Sequence, residues 1–287
     1  MGGNSRLLFH KFYSALLKKT GVNNNKKNYQ TWLNKNYNNK PLVTFIIQSH
    51  NKSLEVKYIT SKLREYPEGE IIVIDDGSAK KHTNIISKHL KNANEFVIRS
   101  NDLYENVMYD KAIRFANGKY IVLLQDDDDF ENLFWVDEAI LYFQRYPKLA
   151  ILGGNEGLDF KVFGIDNAHD IQYENAIDKQ FAFVHTINRA PMWINKLLFE
   201  EKLKHIDFNF APFQYDDCEL CLRAWLSGLQ VGWYNVGFKS LSAGGMRIWN
   251  SQFTDEQCIR NQKKLYDLYK DQKDVVDNLV IDANNMK

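Results

Sequence analysis

From Pro41 onward, short apolar runs rich in β-branched residues alternate with longer amphipathic segments. Five of the apolar runs have the length and composition of buried strands: residues 42–50, 70–76, 95–100, 119–125 and 149–154. The segments between them carry helical periodicity and are joined by short connections. This alternation predicts an α/β fold with a Rossmann-like, mostly parallel central sheet covered by helices on both faces.

Clusters of polar residues follow three of the predicted strands. They read QSHN at residues 48–51, DDGS at residues 75–78 and QDDDD at residues 125–129. In open α/β sheets, ligands bind at the carboxyl ends of the strands. We therefore expect these three clusters to converge on one site.

The four consecutive aspartates at residues 126–129 repel one another unless a cation or hydrogen-bond donors offset their charge. Mg²⁺ and Mn²⁺ prefer carboxylate oxygens and commonly share their coordination sphere with substrate phosphates. The run therefore predicts a divalent-metal site, with a solvated acidic turn as the alternative. In the DDGS cluster, Asp75 or Asp76 can accept hydrogen bonds from a base or ribose. Alternatively, Asp76 and Ser78 cap the helix that follows.

Two common kinds of phosphate-binding loop are missing from the sequence. No G-x-G-x-x-G follows a strand and no G-x-x-x-x-G-K-[ST] occurs, which disfavours a dinucleotide oxidoreductase and a P-loop protein.

Further along, Asp216 and Asp217 precede an amphipathic helix, where they act as helix caps or one of them acts as a general base. Cys218 and Cys221 lack the second half of a zinc site, so packing within that helix is favoured.

Composition limits the class of partner. Among 287 residues, 37 are Lys or Arg and 36 are Asp or Glu, so the formal charge of +1 gives no bias toward nucleic acid. Three cysteines, no apolar run of 18 residues and no signal-peptide pattern lead us to expect a cytoplasmic protein. Residues 6–19 predict an amphipathic helix, which we favour as docked on its own domain. A peripheral contact with an anionic membrane surface is the alternative.

Taken in order, VTFIIQSHN, EIIVIDDGS, ANGKYIVLLQDDDD and FQYDDCELCLRAWLSG resemble the motifs of family 2 glycosyltransferases with the GT-A fold, over about residues 41–250. The resemblance implies an inverting displacement in which Asp217 is the general base. Asp216, Arg189 and Trp193 would lie on the acceptor side. The implied donor-binding residues are Gln48, Ser49, His50, Asn51, Asp75, Asp76, Asp126 and Asp127.

The sequence departs from the family pattern at the metal motif. Gln125 stands where the first aspartate of the usual Asp-x-Asp-Asp would fall, so the metal ligand is Asp127 or, with a shift of one residue, Asp126 and Asp128. The late histidine that completes the metal site in some GT-A enzymes is also missing. Arg247 lies in the segment that takes its place, and we expect it to contact the donor pyrophosphate.

A second departure concerns an arginine that often faces the donor in this family. The family's Ala-Arg-Asn is replaced here by Met108, Tyr109 and Asp110. Lys111 and Arg114 are candidates to replace the missing charge, or are simply surface charges.

Composition and pattern indicate a helical arm with an Asn/Lys-rich linker (1–40) and a C-terminal helical extension (251–287). The resemblance implies a GT-A domain between them (41–250). Within the domain, residues 41–155 would bind the nucleotide sugar and residues 156–250 the acceptor. The implied reaction moves a sugar from a UDP-sugar to a hydroxyl of a glycan, lipid-linked saccharide or protein, with Mn²⁺ or Mg²⁺ as cofactor. The alternatives are a sugar nucleotidyltransferase and a catalytically silent GT-A-like binding protein.

Overall fold

The computed structural model describes residues 7–16, 18, 35, 37–161, 170–173, 180–241 and 251–287. The chain divides into two compact units, residues 1–38 and residues 39–287. In the first unit, residues 7–16 form a helix, as the apolar periodicity predicts. No helix in the described part of the chain combines the length and the apolar character needed to cross a bilayer.

In the second unit, seven longer helices alternate with or follow the strands over the described residues. They are α1 (Ser53–Leu63), α2 (Lys80–His89), α3 (Tyr104–Phe115), α4 (Phe134–Arg145), α5 (Asp216–Leu226), α6 (Ser251–Tyr269) and α7 (Lys273–Asn285). Shorter turns of helix are Lys196–Leu198, the π-helical turn Phe199–Leu203, and the 3₁₀ turns Phe208–Phe210 and Lys270–Gln272.

The strands form one large sheet and two small ones. They are β1 (Val43–Ser49), β2 (Gly69–Asp76), β3 (Glu95–Ser100), β4 (Tyr120–Gln125), β5 (Asp128–Asp129), β6 (Leu149–Gly153), β7 (Gly157–Lys161), β8 (Asp170–Tyr173), β9 (Phe181–Phe183), β10 (Thr186–Ile187), β11 (Met192–Asn195), β12 (Gln230–Tyr234) and β13 (Lys239–Ser240). The large sheet has the order β3-β2-β1-β4-β11-β6-β12-β9, and the small sheets are β10-β7-β8 and β13-β5.

The predicted α/β fold with a mostly parallel sheet is confirmed. Strands β1 to β4 pair in parallel, whereas β11 enters between β4 and β6 and is antiparallel to both. Consecutive residues of β1, β2 and β4 are buried, because helices cover both faces of the sheet.

A close contact between β1 and the turn before β4 sets the register of the two strands. The Gly118 N–H donates to the Thr44 hydroxyl at 2.8 Å, and Thr44 donates in turn to buried Glu70 at 2.7 Å. A Cβ added at Gly118 would lie 2.5 Å from the Thr44 backbone nitrogen, so only glycine fits there. The turn therefore aligns the start of β4 with the start of β1, which places Gln125 at the end of β4 beside Gln48 near the end of β1.

The C-terminal segment packs on the domain, an outcome that its sequence does not decide. The Tyr269 hydroxyl at the end of α6 donates to Glu219 of α5 at 2.9 Å. On α7, Asp277 lies 2.8 Å from the His185 ring. Both helices thus contribute to the structure around α5 and the adjoining sheet edge.

Candidate functional site

The sheet order places the three predicted polar clusters side by side, because β1 lies between β2 and β4. In the parallel register, Ser49 pairs with Asp75 and Gln48 pairs with Gln125. The DDGS turn is closed by Gly77, whose φ of +79° suits glycine and whose added Cβ would lie 2.5 Å from the Asp102 carboxylate.

Asp75 is completely buried and only half of its carboxylate is satisfied. Its Oδ2 accepts a hydrogen bond from Thr83 at 2.8 Å, whereas its Oδ1 has no partner among the residues that the structure describes. The same is true of two neighbouring buried atoms, Gln48 Oε1 and Ser49 Oγ. Buried polar atoms without partners are costly. Ser49 and Asp75 are paired residues on the same face of the sheet, so their two free atoms together point to a polar ligand, whereas Gln48 lies on the face of Asp76.

Asp76 has a different environment from Asp75. Its carboxylate accepts hydrogen bonds from the Ser100 hydroxyl at 2.6 Å, the Leu103 N–H at 3.0 Å and the Tyr104 N–H at 2.8 Å. Gln48 Nε2 approaches the same carboxylate at 3.4 Å. Asp76 therefore holds the loop that enters α3.

His50 and Asn51 support the turns around the site. His50 Nδ1 lies 2.6 Å from the Asp76 carbonyl, and about half of the imidazole is exposed. Asn51 accepts from the Ala79 N–H at 2.8 Å, while its own N–H donates to Ser78 at 2.9 Å. These contacts hold the first and second strand ends together.

The first two aspartates of the acidic run face the end of β1. Asp126 accepts from the His50 N–H at 3.2 Å and lies 3.2 Å from the Lys52 ammonium. Burial raises the pKa of Asp126 to about 6, against the opposing effect of Lys52. Asp127 accepts from the Ser240 hydroxyl at 2.8 Å and lies 4.0 Å from Lys52.

The next two aspartates have opposite environments. Asp128 is buried, its Oδ2 accepts from the Gln125 N–H at 2.9 Å, and burial raises its pKa to about 8. Asp129 points to the surface, where the Lys62 ammonium at 2.8 Å and the Tyr58 hydroxyl at 3.2 Å bind it. The hydrogen bond from Lys62 lowers the pKa of Asp129. Asp129 is therefore already neutralised.

The carboxylates of residues 126–128 fit a hard divalent cation. Asp126 and Asp127 share Lys52 as their nearby cation, and Asp128 is largely protonated near neutral pH unless a cation binds there. Over the described residues, no three His, Cys, Asp or Glu side chains form a closed metal-binding group. A cation here would consequently have one or two carboxylate ligands and open positions, the arrangement in which Mg²⁺ shares substrate phosphates.

A cavity of about 420 Å³ lies beside this edge of the sheet. Gln125, the last residue of β4, forms part of its wall, so the cavity adjoins the acidic run. Its lining residues are Glu105, Gln125, Glu156, Leu158, Asn188, Arg189, Gln214, Tyr215, Asp216, Asp217 and Cys218. The volume falls in the range of about 300–1,000 Å³ that is usual for small-molecule sites.

Asp216 and Asp217 start α5 and both line the cavity, but Asp217 is the more exposed of the two. The Asp216 side chain is 1% exposed and binds the buried Arg189 guanidinium, whereas the Asp217 side chain is 15% exposed. Asp217 Oδ1 accepts from the Cys218 N–H at 2.9 Å, and its Oδ2 lies 3.8 Å from Arg189 Nε. Burial raises the pKa of Asp216 above its ordinary value.

Arg189 lies over the residue that replaces the family's donor-facing arginine. Its guanidinium carbon is 5.1 Å from the centre of the Tyr109 ring, an arrangement that favours a cation–π contact. Lys111 and Arg114 instead lie beside buried Asp110, at 3.5 and 3.0 Å. The cation near Tyr109 therefore comes from the loop before β11.

A family model for glycosyl transferase family 2 matches residues 37–228. The chain belongs to this family. A curated relative is the poly-beta-1,6-N-acetyl-D-glucosamine synthase of Staphylococcus epidermidis, 28% identical over 141 residues that make up 47% of this chain and 33% of the relative. The chain thus spans about one third of the length of this relative.

Three solved structures with the GT-A fold resemble this family 2 chain at 14% sequence identity, which supports the fold alone. The mannosyltransferase PcManGT from Pyrobaculum calidifontis, in complex with GDP-Man and Mn²⁺, has a TM-score of 0.53 over 77% of this chain and 64% of that chain. GalNAc-T7 with UDP, GalNAc and Mn²⁺ has a TM-score of 0.55 over 67% and 42%. TarS from S. aureus with UDP-GlcNAc has a TM-score of 0.54 over 72% and 60%. The GT-A fold prediction is confirmed.

Within this family 2 domain, one acceptor-side prediction does not agree with the structure. Trp193 on β11 is fully buried in the core, and its indole N–H donates to the Tyr234 hydroxyl at 2.9 Å. Its ring packs against Trp135 and does not line the cavity. A buried tryptophan cannot stack on an acceptor sugar, so we exclude it from the site. Arg247 lies outside the described residues.

Some residues of the site are not predicted from the sequence. Lys52, beside the acidic run, follows the QSHN cluster directly, and its position there was the available signal. Glu105 lies in a helical segment and Glu156 in a loop, where neither differs in pattern from a surface charge. Their place on the cavity wall depends on tertiary structure.

Proposed function

We propose that this chain is a metal-dependent, inverting glycosyltransferase that moves a sugar from a UDP-sugar to a hydroxyl of a glycan. One observation carries the proposal: a single cavity includes both Asp217, at the start of α5, and Gln125, at the end of the strand that leads into the acidic run. A carboxylate able to take a proton therefore adjoins an edge suited to a nucleotide diphosphate.

The donor would lie across the carboxyl ends of β1, β2 and β4. The unpartnered buried atoms of Ser49 and Asp75, on the same face of the sheet, are suited to hydrogen bonds with its nucleoside. Two of the similar structures carry UDP or UDP-GlcNAc, and the curated relative makes an N-acetylglucosamine polymer. These likenesses favour a UDP-sugar donor and a glycan acceptor.

The acidic run fits the Mn²⁺ or Mg²⁺ ion that the family resemblance implies. One or two of the carboxylates of Asp126, Asp127 and Asp128 would hold it, and Lys52 lies beside the first two. When bound, such an ion supplies Lewis-acid neutralisation of the leaving diphosphate. Mn²⁺ is also present in two of the similar structures.

On the acceptor side, Asp217 takes the proton from the attacking hydroxyl. As that O–H bond breaks, the oxygen forms a bond to the anomeric carbon, and the bond from that carbon to the diphosphate oxygen breaks on the opposite face. The hydrogen bond from the Cys218 N–H orients the Asp217 carboxylate, and the nearby Arg189 guanidinium stabilises its charge. Asp216 positions Arg189.

The test replaces the base while keeping its shape. We expect Asp217→Asn to lower glycosyl transfer by roughly 10²- to 10⁴-fold, because amide nitrogen cannot accept the proton. Binding of UDP, measured by calorimetry with Mn²⁺ present, should stay within about twofold of the wild type. Transfer is followed as release of UDP from a panel of UDP-sugars in the presence of a glycan acceptor.

Asp271→Asn is the matched control, since this exposed aspartate lies in the turn between α6 and α7. It should turn over at the wild-type rate. Near-normal turnover of Asp217→Asn would exclude Asp217 as the base, and no UDP release from any donor despite tight UDP binding would indicate a silent binding protein.

A further inference from the structure

The cavity beside Asp217 carries an excess of negative charge. Four carboxylates line it, those of Glu105, Glu156, Asp216 and Asp217, and Arg189 is the single Lys or Arg among its described lining residues. With all four ionised, three negative charges are in excess. Charge of one sign in a cleft with low-dielectric walls focuses the electrostatic potential.

The one cation is already engaged. Arg189 donates to Asp216, and its guanidinium nitrogens lie 3.6 Å from Glu105 and 3.8 Å from Asp217. The Arg189 side chain is only 6% exposed, and its guanidinium lies among these carboxylates. Among the described lining residues, an incoming anion would therefore meet four carboxylates and one cation that three of them already surround.

Buried polar atoms on the same wall indicate that a ligand completes the cavity. Asp216 Oδ2 and Arg189 Nη1 are buried and find no hydrogen-bond partner among the described residues. The Asp216 side chain is 99% buried, yet Asp216 is part of the cavity wall. A saccharide hydroxyl can donate to the Asp216 oxygen and accept from Arg189 Nη1, so a neutral sugar can satisfy both atoms. An ammonium group can donate to the Asp216 oxygen alone, and a phosphate or a carboxylate can accept from Arg189 Nη1 alone.

Glu156 is held in place at the cavity. The Asn188 side-chain amide donates to the Glu156 carboxylate, and the Asn188 N–H donates to the Glu156 carbonyl at 3.2 Å. Its negative charge is therefore a fixed feature of the wall. Glu105 is more open, with a side chain that is 36% exposed.

We propose that this cavity selects an acceptor sugar that is uncharged or carries an ammonium group, and rejects one that bears a carboxylate or phosphate, with Glu105 and Glu156 as specificity-determining residues. The proposal rests on the glycosyltransferase function proposed above. It adds the charge class of the acceptor, which the family motifs do not specify.

Three matched sugars test the proposal: methyl β-D-glucoside, methyl β-D-glucosaminide and methyl β-D-glucuronide. They differ at one substituent and are neutral, cationic and anionic near neutral pH. Binding to the protein saturated with UDP and Mn²⁺ is measured by calorimetric titration, which needs no turnover. We expect the glucosaminide and the glucoside to bind at least tenfold more tightly than the glucuronide.

Removing a carboxylate charge from the cavity wall should weaken the discrimination against the anionic sugar. In Glu156→Gln and in Glu105→Gln, we expect the preference for the glucoside over the glucuronide to fall by roughly three- to tenfold, because each variant loses one carboxylate that repels the glucuronide. Glu68→Gln is the control. Glu68 is exposed and precedes β2 at the opposite end of the sheet, so its substitution should leave the preference unchanged.

Equal binding of the glucuronide and the glucoside, or binding of none of the three sugars, overturns the proposal. So does an unchanged preference in both cavity variants. The parallel measurement of UDP release from UDP-sugars in water, without acceptor, keeps the two proposals apart. UDP release in water supports the transferase function even when the proposed acceptor class is wrong. No UDP release with any donor or acceptor would contradict the transferase function itself.

Discussion

At the scale of single residues, the adjacent carboxylates of Asp75 and Asp76 have different hydrogen-bond environments. Asp75 keeps one buried oxygen without a partner in the described part of the chain, while Asp76 accepts from three donors between the end of β3 and the start of α3. The difference follows from the strand period, because successive side chains of β2 point to opposite faces. Asp75 is thus suited to the nucleoside and Asp76 to the loop.

The same substitution at the two positions should have opposite consequences. We expect Asp75→Asn to weaken UDP binding by at least tenfold, about 1.4 kcal/mol, with little loss of thermal stability. Asp76→Asn should instead lower the free energy of unfolding by about 1–3 kcal/mol, because loop donors lose a charged acceptor. Calorimetric titration with UDP and thermal unfolding measure the two effects. Equal losses of affinity and stability in both variants would contradict this division.

At the scale of elements, helix α6 supports the loop that leads to Asp216 and Asp217. The fully buried Asn261 amide lies 2.8 Å from the Phe210 carbonyl and 2.9 Å from the carbonyls of Phe213 and Gln214. Gln214 and Tyr215 both have left-handed backbone angles, with φ of 77° and 63°. Such angles are costly outside glycine, so the anchor on α6 helps to keep them.

Loss of this anchor should affect turnover more than donor binding. We expect Asn261→Ala to lower kcat roughly tenfold and the free energy of unfolding by about 2 kcal/mol, because three carbonyls lose their donor and Asp217 is less well placed. The KM for the donor should change less than twofold. Lys263→Ala, an exposed position of the same helix, is the control. An unchanged kcat at a temperature where the variant is fully folded would count against the positioning role.

The sequence predicts an element well when the element has its own local hydrophobic pattern. It predicts an element poorly when only pairing with distant strands makes the element form. The five strands from β1 to β6 that carry long β-branched runs agree with prediction to within two residues at each end. Strand β11 escapes prediction, because four residues wedged antiparallel between β4 and β6 show no period of their own. That strand follows Arg189, so the position of Arg189 could not be derived either.

At the scale of the whole molecule, the C-terminal helix protects one edge of the large sheet. In the described residues, β9 is the last strand on that side. The Asn284 side chain of α7 accepts from the Phe183 N–H at 3.0 Å and donates to the Phe183 carbonyl at 2.9 Å. One amide thus pairs with the strand as a neighbouring strand would, which blocks edge-to-edge association.

We expect Asn284→Ala to lower the free energy of unfolding by about 1 kcal/mol and to increase aggregation on heating, because the backbone of β9 loses both partners. Asn285→Ala, at the exposed neighbouring position, should do neither. Thermal unfolding with light scattering measures both effects. Identical scattering from the two variants would show that Asn284 does not protect the edge.

The candidate donor, metal and base residues follow from the sequence only through the order of its motifs. Residues 75–78, the acidic run and Asp217 are each ambiguous alone, and the sheet order gives them a common edge. The residues of the cavity wall do not follow from the sequence in this way. Glu105 and Glu156 come from a helix and a loop that are far apart in the chain, and no local pattern relates them.

The environment of Asp76 also limits what the family signature can reveal about activity. A relative that had lost its donor would still need this carboxylate to hold the loop before α3. Asp76, together with the Gly77 turn, would then persist in an inactive descendant for folding alone. Under the proposed roles of Asp75 and Asp217, their retention among members of this family is therefore expected to be a better guide to catalytic competence than the complete four-letter signature.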